Sequence, residues 1–218
     1  MNLQEIKDNL YEKSVIAVVT IDDIEKSNYV CESLLAGGVK IIELTLRTKN
    51  VFNVMNNISK NFSQIVLGAG TILSRHQVEQ SKQSGAVFGL APGFNPDTVE
   101  EADKFNLPFI PGVSTPSDIQ SALKYNLNLL KFFPAEFFGG VDYLKSISAP
   151  FVQKNLKFIP LGGINIDSAA KYLNSELVTA IGGSWIASNY LIENCEWETI
   201  KNRANSICDL IKKIKETK

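Results

Sequence analysis

Short apolar runs rich in β-branched residues recur along this 218-residue chain, and a polar stretch with helical spacing follows each of them. Successive runs begin roughly 20 to 28 residues apart, which is the length of one strand plus one helix. The pattern predicts eight strands, at residues 15–19, 41–45, 65–69, 87–90, 109–112, 129–132, 157–161 and 178–182.

Eight strand-and-helix units predict an α/β fold, a (β/α)8 TIM barrel, formed by a single domain over residues 1–218. The amphipathic segment before the first strand predicts an extra N-terminal helix. An open doubly wound sheet is the alternative, but it normally has fewer strands and a G-x-G-x-x-G turn after the first strand, which this sequence lacks. Helix caps are expected at Ser74, Asn95, Thr115 and Asp167, each just after a strand and its turn.

The composition narrows the function classes. With 22 basic and 23 acidic residues, the chain has no excess of positive charge for binding nucleic acid or an anionic membrane. No apolar stretch approaches the roughly 18 to 20 residues that span a bilayer, and the first residues lack a signal-peptide pattern. Three cysteines without metal-ligand spacing are expected to be reduced and structural, which predicts a cytoplasmic location. The single histidine, His76, is expected at the surface, so neither a metal site nor a Ser-His-Asp hydrolase is predicted.

The second predicted strand carries charged residues in an alternating pattern. A period of two places Glu43, Thr45 and Arg47 on one face and three aliphatic residues on the other. The aliphatic face is expected to pack under helices, which leaves the polar face inside the barrel or at its mouth. Charges are costly there unless they are paired. Glu43 and Arg47 are therefore either an internal ion pair or candidates for catalysis and binding.

Lys131 lies in an apolar run on the sixth predicted strand. Burial among leucine and phenylalanine side chains favours the neutral amine, which is a nucleophile able to form a Schiff base. The alternative is a lysine at a strand edge that extends its charge into water. If Lys131 and Glu43 both face inward they could meet, either as an amine with a proton-relaying carboxylate or as an inert salt bridge.

Two glycine pairs follow the last two predicted strands, Gly162-Gly163 and Gly182-Gly183, and Ser184 adds a hydroxyl group to the second. Glycines at such turns let backbone N–H groups approach an anion, and phosphate sites in barrels are often built from these two loops. The pattern predicts a phosphate site.

A small carboxylate could be held near the ends of the third and fourth strands. Thr71 supplies a hydroxyl group there, and the backbone around Pro92 supplies amides. Arg47 would grip such a carboxylate with two parallel hydrogen bonds.

Short motifs follow one another over nearly the whole chain: Glu-x-Thr-x-Arg-Thr at 43–48, Gly-Ala-Gly-Thr at 68–71, Pro-Gly at 92–93, Pro-Gly-Val-Ser-Thr at 111–115, Lys-Phe-Phe-Pro-Ala-Glu at 131–136, Gly-Gly-Ile at 162–164 and Gly-Gly-Ser-Trp at 182–185. With them, the sequence resembles the family of 2-keto-3-deoxy-6-phosphogluconate (KDPG) aldolases and 4-hydroxy-2-oxoglutarate aldolases. The resemblance implies a metal-independent class I aldolase without a cofactor, usually a homotrimer. Such an enzyme cleaves a keto-acid phosphate to pyruvate and glyceraldehyde 3-phosphate.

The resemblance also implies roles for individual residues. Lys131 would form the Schiff base, and Glu43 would act as general acid and base. The substrate-binding residues would be Arg47 and Thr71 for the pyruvyl carboxylate, with Pro92, Phe133 and Leu161 around the pocket. The phosphate would be held by Gly162, Gly163, Gly182, Gly183 and Ser184.

Leu161 departs from the family pattern. KDPG-specific members usually carry threonine before this glycine pair, whereas related aldolases for the galactonate epimer tend to have an aliphatic residue. The same chemistry on that epimer or on 4-hydroxy-2-oxoglutarate is therefore an alternative. A phosphate-binding barrel isomerase and a sensor without Schiff-base chemistry are further alternatives, from other functional classes.

Overall fold

The computed structural model describes residues 1–217, except for the side chain of Lys13, and Lys218 at the end of the predicted domain lies outside these residues. Helices and parallel strands alternate along the chain. The strands are β1 (Val15–Val19), β2 (Ile41–Thr45), β3 (Val66–Gly70), β4 (Phe88–Leu90), β5 (Phe109–Ile110), β6 (Gly112–Val113), β7 (Leu129–Phe132), β8 (Lys157–Pro160) and β9 (Ile181–Gly183). The helices are α1 (Leu3–Lys13), α2 (Ile24–Ala36), α3 (Val51–Asn61), α4 (Arg75–Gln83), α5 (Pro96–Lys104), α6 (Pro116–Leu123), α7 (Gly140–Ser148), α8 (Ile166–Leu173), α9 (Asn189–Glu193) and α10 (Trp197–Glu216), with 3-10 turns at Glu136–Phe138 and Ala149–Lys154.

The strands form two curled parallel sheets. The six-stranded sheet has the order β5-β4-β3-β2-β1-β9, and the three-stranded sheet has the order β6-β7-β8. Only Pro111 separates β5 from β6, and Phe158 of β8 forms a parallel bridge with Val178, just before β9. The architecture is a TIM-barrel-like α/β fold.

The predicted strands agree with the structure to within one residue at most ends. Strands 15–19, 41–45 and 129–132 are confirmed as predicted. The fifth predicted strand is divided at Pro111, because proline has no N–H group for the ladder; β5 pairs with β4, while β6 pairs with β7. The start of the last predicted strand is wrong, since regular pairing begins at Ile181 and Val178 makes only the isolated bridge.

The apolar residues divide between two cores, as the alternation of β2 predicts. Ile42 and Leu44 belong to the larger core between the strands and the surrounding helices. The smaller core fills the concave inner side of the strands. It contains Ile6, Leu10, Ile16, Ile41, Phe88, Leu90, Ile110, Leu129, Ile159, Leu161 and Ala180.

Helix α1 is the predicted extra N-terminal helix. The Asn2 side chain caps the helix by accepting a hydrogen bond from the backbone N–H of Glu5, and the Asn2 backbone N–H donates one to the Glu5 carboxylate. Its buried residues Ile6 and Leu10 pack into the inner core, so α1 covers one end of the curled sheets.

Three of the four expected helix caps are confirmed. Ser74, Asn95 and Thr115 each accept a hydrogen bond from the first turn of the following helix. The fourth is wrong, because Asn165 caps α8 and Asp167 lies within its first turn. An asparagine two residues earlier reaches the free N–H groups of that turn, whereas Asp167 is itself one of the donors.

Within residues 1–217, no helix combines the length and the apolar character needed to cross a bilayer.

Candidate active site

Lys131 and Glu43 meet inside the curled sheets. The Lys131 ammonium donates a 2.8 Å hydrogen bond to Glu43 Oε1, and the two residues are 5% and 1% exposed. Lys131 sits on β7 opposite Gly112, and Glu43 sits on β2 between Val18 and Gly68. Lys131 therefore does not extend into water, and the partner of Glu43 is this lysine and not Arg47.

Glycine at position 70 allows Glu43 to reach Lys131. Gly70 of β3 pairs with Thr45 of β2, which lies two residues beyond Glu43 on the same strand. A Cβ atom at Gly70 would overlap Glu43 Oε1, so the carboxylate lies directly over this α-carbon. The sequence interpretation assigned the Gly68–Thr71 segment to carboxylate binding and missed this packing role. An inward-facing glutamate beside a glycine on the next strand is the signal for it.

The second carboxylate oxygen of Glu43 is buried and accepts no hydrogen bond from any residue between positions 1 and 217. A buried acceptor without a partner is costly, and it is free to take a proton or a hydroxyl hydrogen bond from a bound molecule. The Phe133 ring lies beside the lysine, with its centroid 5.4 Å from Lys131 Nζ. The pair thus has an aromatic wall on one side and an open acceptor on the other.

The three residues expected around a carboxylate lie at strand ends. Arg47 is exposed and lies beyond the end of β2, so its position does not follow from strand alternation as predicted. Within the described chain its guanidinium makes no ion pair, which leaves it available to an anion. Thr71 follows β3 with φ of 61°, a conformation that β-branched residues rarely adopt. Pro92 is half-buried and its carbonyl lies against Gly112.

The turn after β8 lies beside the Phe133 wall. Gly162 and Gly163 have φ of 96° and 83°, which favours glycine. A Cβ atom on Gly162 would come within 2.9 Å of Pro134 Cα and 3.1 Å of Phe133 Cδ2. The Leu161 side chain points into the inner core and is 3% exposed. The turn therefore stands next to the lysine pocket.

The second glycine pair differs from its predicted geometry. Gly182 and Gly183 are buried residues of β9 and not a turn, and neither has a positive φ. Gly182 leaves room for Leu161, whose Cδ2 would lie 2.6 Å from an added Cβ atom, and Gly183 leaves room for the Trp185 ring. Close packing accounts for both glycines. Ser184 follows them and is exposed.

A tyrosine anchors the segment beside Gly163. Tyr172 of α8 is fully buried, and its hydroxyl group donates a hydrogen bond to Glu136 Oε1. Burial raises the pKa of Tyr172 above its ordinary value, and Glu136 raises it further, so the hydroxyl group remains a donor. The Glu136 Cβ would lie only 2.7 Å from a Cβ atom on Gly163. This contact, which the sequence interpretation missed, fixes the 3-10 turn against the glycine turn.

The geometry agrees with a comparison to known families. Residues 6–203 match the model of the KDPG and KHG aldolase family. The chain belongs to this family. The resemblance that the sequence motifs indicate is therefore confirmed.

Relatives from this aldolase family align with most of the chain. The 2-dehydro-3-deoxy-phosphogluconate aldolase of Haemophilus influenzae is 32% identical over 209 residues, covering 96% of this chain and 98% of the relative. The KHG/KDPG aldolase of Escherichia coli K12 is 35% identical over 190 residues, covering 87% and 88%.

A solved aldolase structure has the same architecture. KDPG aldolase from Legionella pneumophila, with pyruvate captured at low pH as a covalent carbinolamine intermediate, superposes with a TM-score of 0.87 at 33% identity. The similarity covers 92% of this chain and 97% of that one.

Proposed function

We propose that this chain is a class I aldolase that cleaves 2-keto-3-deoxy-6-phosphogluconate reversibly to pyruvate and glyceraldehyde 3-phosphate. The observation that carries the proposal is the buried hydrogen bond between Lys131 and Glu43 in a member of the KDPG and KHG aldolase family. A purely structural salt bridge at this depth would carry a large desolvation cost.

Proton transfer along this hydrogen bond prepares the nucleophile. When the Lys131 ammonium gives a proton to Glu43, both groups become neutral, and neutral groups are favoured in a buried pocket. The amine then attacks the C2 ketone of the substrate. Glu43 returns the proton so that water can leave and a protonated imine forms.

The imine provides the electron sink for cleavage. Glu43 removes the proton of the C4 hydroxyl group, the C3–C4 bond breaks, and its electron pair moves into an enamine on Lys131. Glyceraldehyde 3-phosphate is released. The enamine takes a proton at C3, and water then hydrolyses the imine to free pyruvate and restore the amine.

The remaining site residues hold the two ends of the substrate. Arg47 and Thr71, beside Pro92, bind the pyruvyl carboxylate, and Phe133 with Leu161 forms the pocket wall. The phosphate binds backbone N–H groups of Gly162 and Gly163 after β8, and of Gly182, Gly183 and Ser184 at the end of β9. The positive φ values and partial exposure of the first pair support this placement.

Leu161 favours activity on the galactonate epimer as a second candidate substrate. Its buried isobutyl group gives the pocket no hydroxyl group with which to distinguish the two configurations at C4. 4-Hydroxy-2-oxoglutarate is a further substrate of the same chemistry.

The proposal includes a closed eight-stranded barrel in one domain over residues 1–218. The division at Pro111 and the bridge at Val178 support closure, since each connects one sheet to the other. We place the enzyme in the cytoplasm as a homotrimer. Phe137, Phe138 and Tyr190 are exposed aromatic side chains that a subunit contact would cover.

Borohydride trapping tests the proposal directly. Pyruvate and sodium borohydride should add about 72 Da, a reduced pyruvyl group, to the peptide that contains Lys131. The Lys131→Ala variant should gain no adduct, lose cleavage activity and remain folded. The wild-type enzyme should cleave KDPG, and the Lys131→Ala variant should not.

The other outcomes identify the alternatives. An adduct on a different lysine would remove Lys131 from its role. Appreciable turnover by Lys131→Arg would favour an isomerase in which Glu43 is the base. Thermal stabilisation by phosphorylated sugars without turnover would favour a sensor.

A further inference from the structure

A pair of hydroxyl groups lies one residue layer above Glu43. Thr20 Oγ1 and Thr45 Oγ1 are 2.7 Å apart. The pairing of Val18 with Glu43 and of Val19 with Leu44 continues to place Thr20 opposite Thr45 at the C-terminal ends of β1 and β2. Thr45 is 1% exposed, whereas Thr20 is half-buried.

Both hydroxyl groups face the inner side of the sheets. Val18 packs against the inner core, and Thr20, one residue beyond β1, has its hydroxyl group within hydrogen-bond distance of the Thr45 hydroxyl group. Thr45 stands two residues beyond Glu43 on β2 and shares its inward face. The pair therefore borders the space above the Lys131–Glu43 hydrogen bond.

The pair has unused hydrogen-bonding capacity. A threonine hydroxyl group can donate one hydrogen bond and accept two, and a single bond joins Thr20 to Thr45. If Thr45 donates to Thr20, the O–H of Thr20 has no acceptor within the pair. Because Thr45 is buried and Thr20 is partly exposed, that donor is presented to a molecule bound in the mouth.

The proposed substrate needs such a partner. Lys131 holds C2, and Glu43 faces the C4 hydroxyl group, so the next hydroxyl group outward, on C5, falls at the layer of the threonine pair. Leu161, just after β8 at the same mouth, has no polar side-chain atom. We propose that Thr20, oriented by Thr45, hydrogen-bonds the C5 hydroxyl group and so selects aldehydes that carry a hydroxyl group beside the carbonyl. This inference rests on the proposed aldolase function.

The test compares two aldehydes in the condensation direction with pyruvate. Glyceraldehyde 3-phosphate supplies the hydroxyl group that becomes the C5 hydroxyl, and 3-oxopropyl phosphate lacks it. The wild type should prefer the first by its ratio of kcat/KM values. In Thr20→Val, which keeps the side-chain shape, that preference should fall about tenfold, the effect of one lost hydrogen bond. Thr20→Ser should restore most of it.

A half-reaction separates specificity from damage to the site. Exchange of the pyruvate methyl protons with D2O, followed by NMR, needs the imine and its proton relay but no aldehyde. It should proceed in Thr20→Val at the wild-type rate. An unchanged aldehyde preference with normal exchange would overturn the role of Thr20, as would equal losses with both aldehydes. Absence of exchange and condensation in the wild type would instead contradict the proposed function.

Discussion

At the scale of single residues, the hydrogen bond between Lys131 and Glu43 depends on the absence of a side chain at Gly70. The carboxylate lies over the α-carbon of Gly70, and this position places Oε1 within 2.8 Å of Lys131. Any side chain at position 70 competes for the space of the carboxylate. The Lys131–Glu43 hydrogen bond thus depends on β3, which carries Gly70, as well as on β2 and β7.

Gly70→Ala should therefore impair catalysis without touching a reacting group. The added methyl group displaces Glu43, and loss of a positioned general acid and base lowers kcat by about 10² to 10⁴. Steady-state cleavage kinetics measure this effect. Gly93→Ala is the matched control, since a Cβ atom there meets nothing within 4 Å. Similar activity of the two variants would contradict the role given to Gly70.

Alternation along a strand is sufficient to predict that Glu43 and Lys131 face inward, because side chains alternate with a period of two. It cannot predict their separation, which depends on the register of distant strands and on the space at Gly70. Arg47 shows the limit of the rule. Arg47 lies beyond the end of β2, where the backbone turns and the period of two no longer applies.

At the scale of elements, the turn after β8 is held between the β7 segment and α8. The Ala135 backbone donates to Leu161 O, and the Glu136 backbone donates to Gly162 O. Tyr172 fixes the Glu136 side chain over Gly163. A turn with fixed N–H directions can bind an anion without first losing conformational freedom.

Gly163→Ala should disturb this turn more than its conformation alone requires. A positive φ costs an alanine about 1 kcal/mol, and the new methyl group also meets Glu136 Cβ at 2.7 Å. Urea unfolding should show a larger loss of stability than in Gly139→Ala, where φ is 96° but the nearest atom is 3.4 Å away. The KM for KDPG should rise, while borohydride trapping of pyruvate continues. Equal losses of stability in the two variants would argue against the packing contact.

Sequence patterns predict most elements here but not their interruptions. Apolar periodicity locates the strands because burial on both faces requires it. Pro111 divides the fifth strand through its missing N–H group, and the glycines of β9 are set by the bulk of Leu161 and Trp185. Pro111 is a local signal that the apolar pattern alone does not use, whereas the contact of Gly182 with Leu161 joins residues that are distant in sequence.

At the scale of the whole molecule, α1 covers the end of the curled sheets opposite the proposed site. Ile6 and Leu10 extend the inner core at the end where the strands begin. A cavity of about 710 Å³ lies at this same end, bordered by Leu107 and Leu127 before β5 and β7. This cavity therefore lies at the opposite end of the strands from the proposed site, since the Lys131–Glu43 pair lies beneath their C-terminal ends.

Leu10→Ala should lower stability and leave the chemistry intact. Truncating a fully buried leucine costs about 2 to 5 kcal/mol, and Leu10 lies on α1, at the end of the strands opposite the proposed site. Thermal unfolding should show the loss, while kcat of the folded variant remains at the wild-type value. Gln4→Ala, an exposed position on the same helix, should change stability by less than about 0.5 kcal/mol. A large fall in kcat for Leu10→Ala would show that α1 influences the site.

Closure of one end of the sheets by α1 also determines the order in which the two products leave. With α1 closing one end, a keto acid bound to Lys131 as proposed would lie at the closed end of the pocket, and the aldehyde half would lie between it and the solvent. The phosphorylated fragment must leave before the three-carbon acid can follow. Pyruvate is then the product that binds the free enzyme and competes with the substrate. The aldehyde instead binds an enzyme that still carries the three-carbon acid.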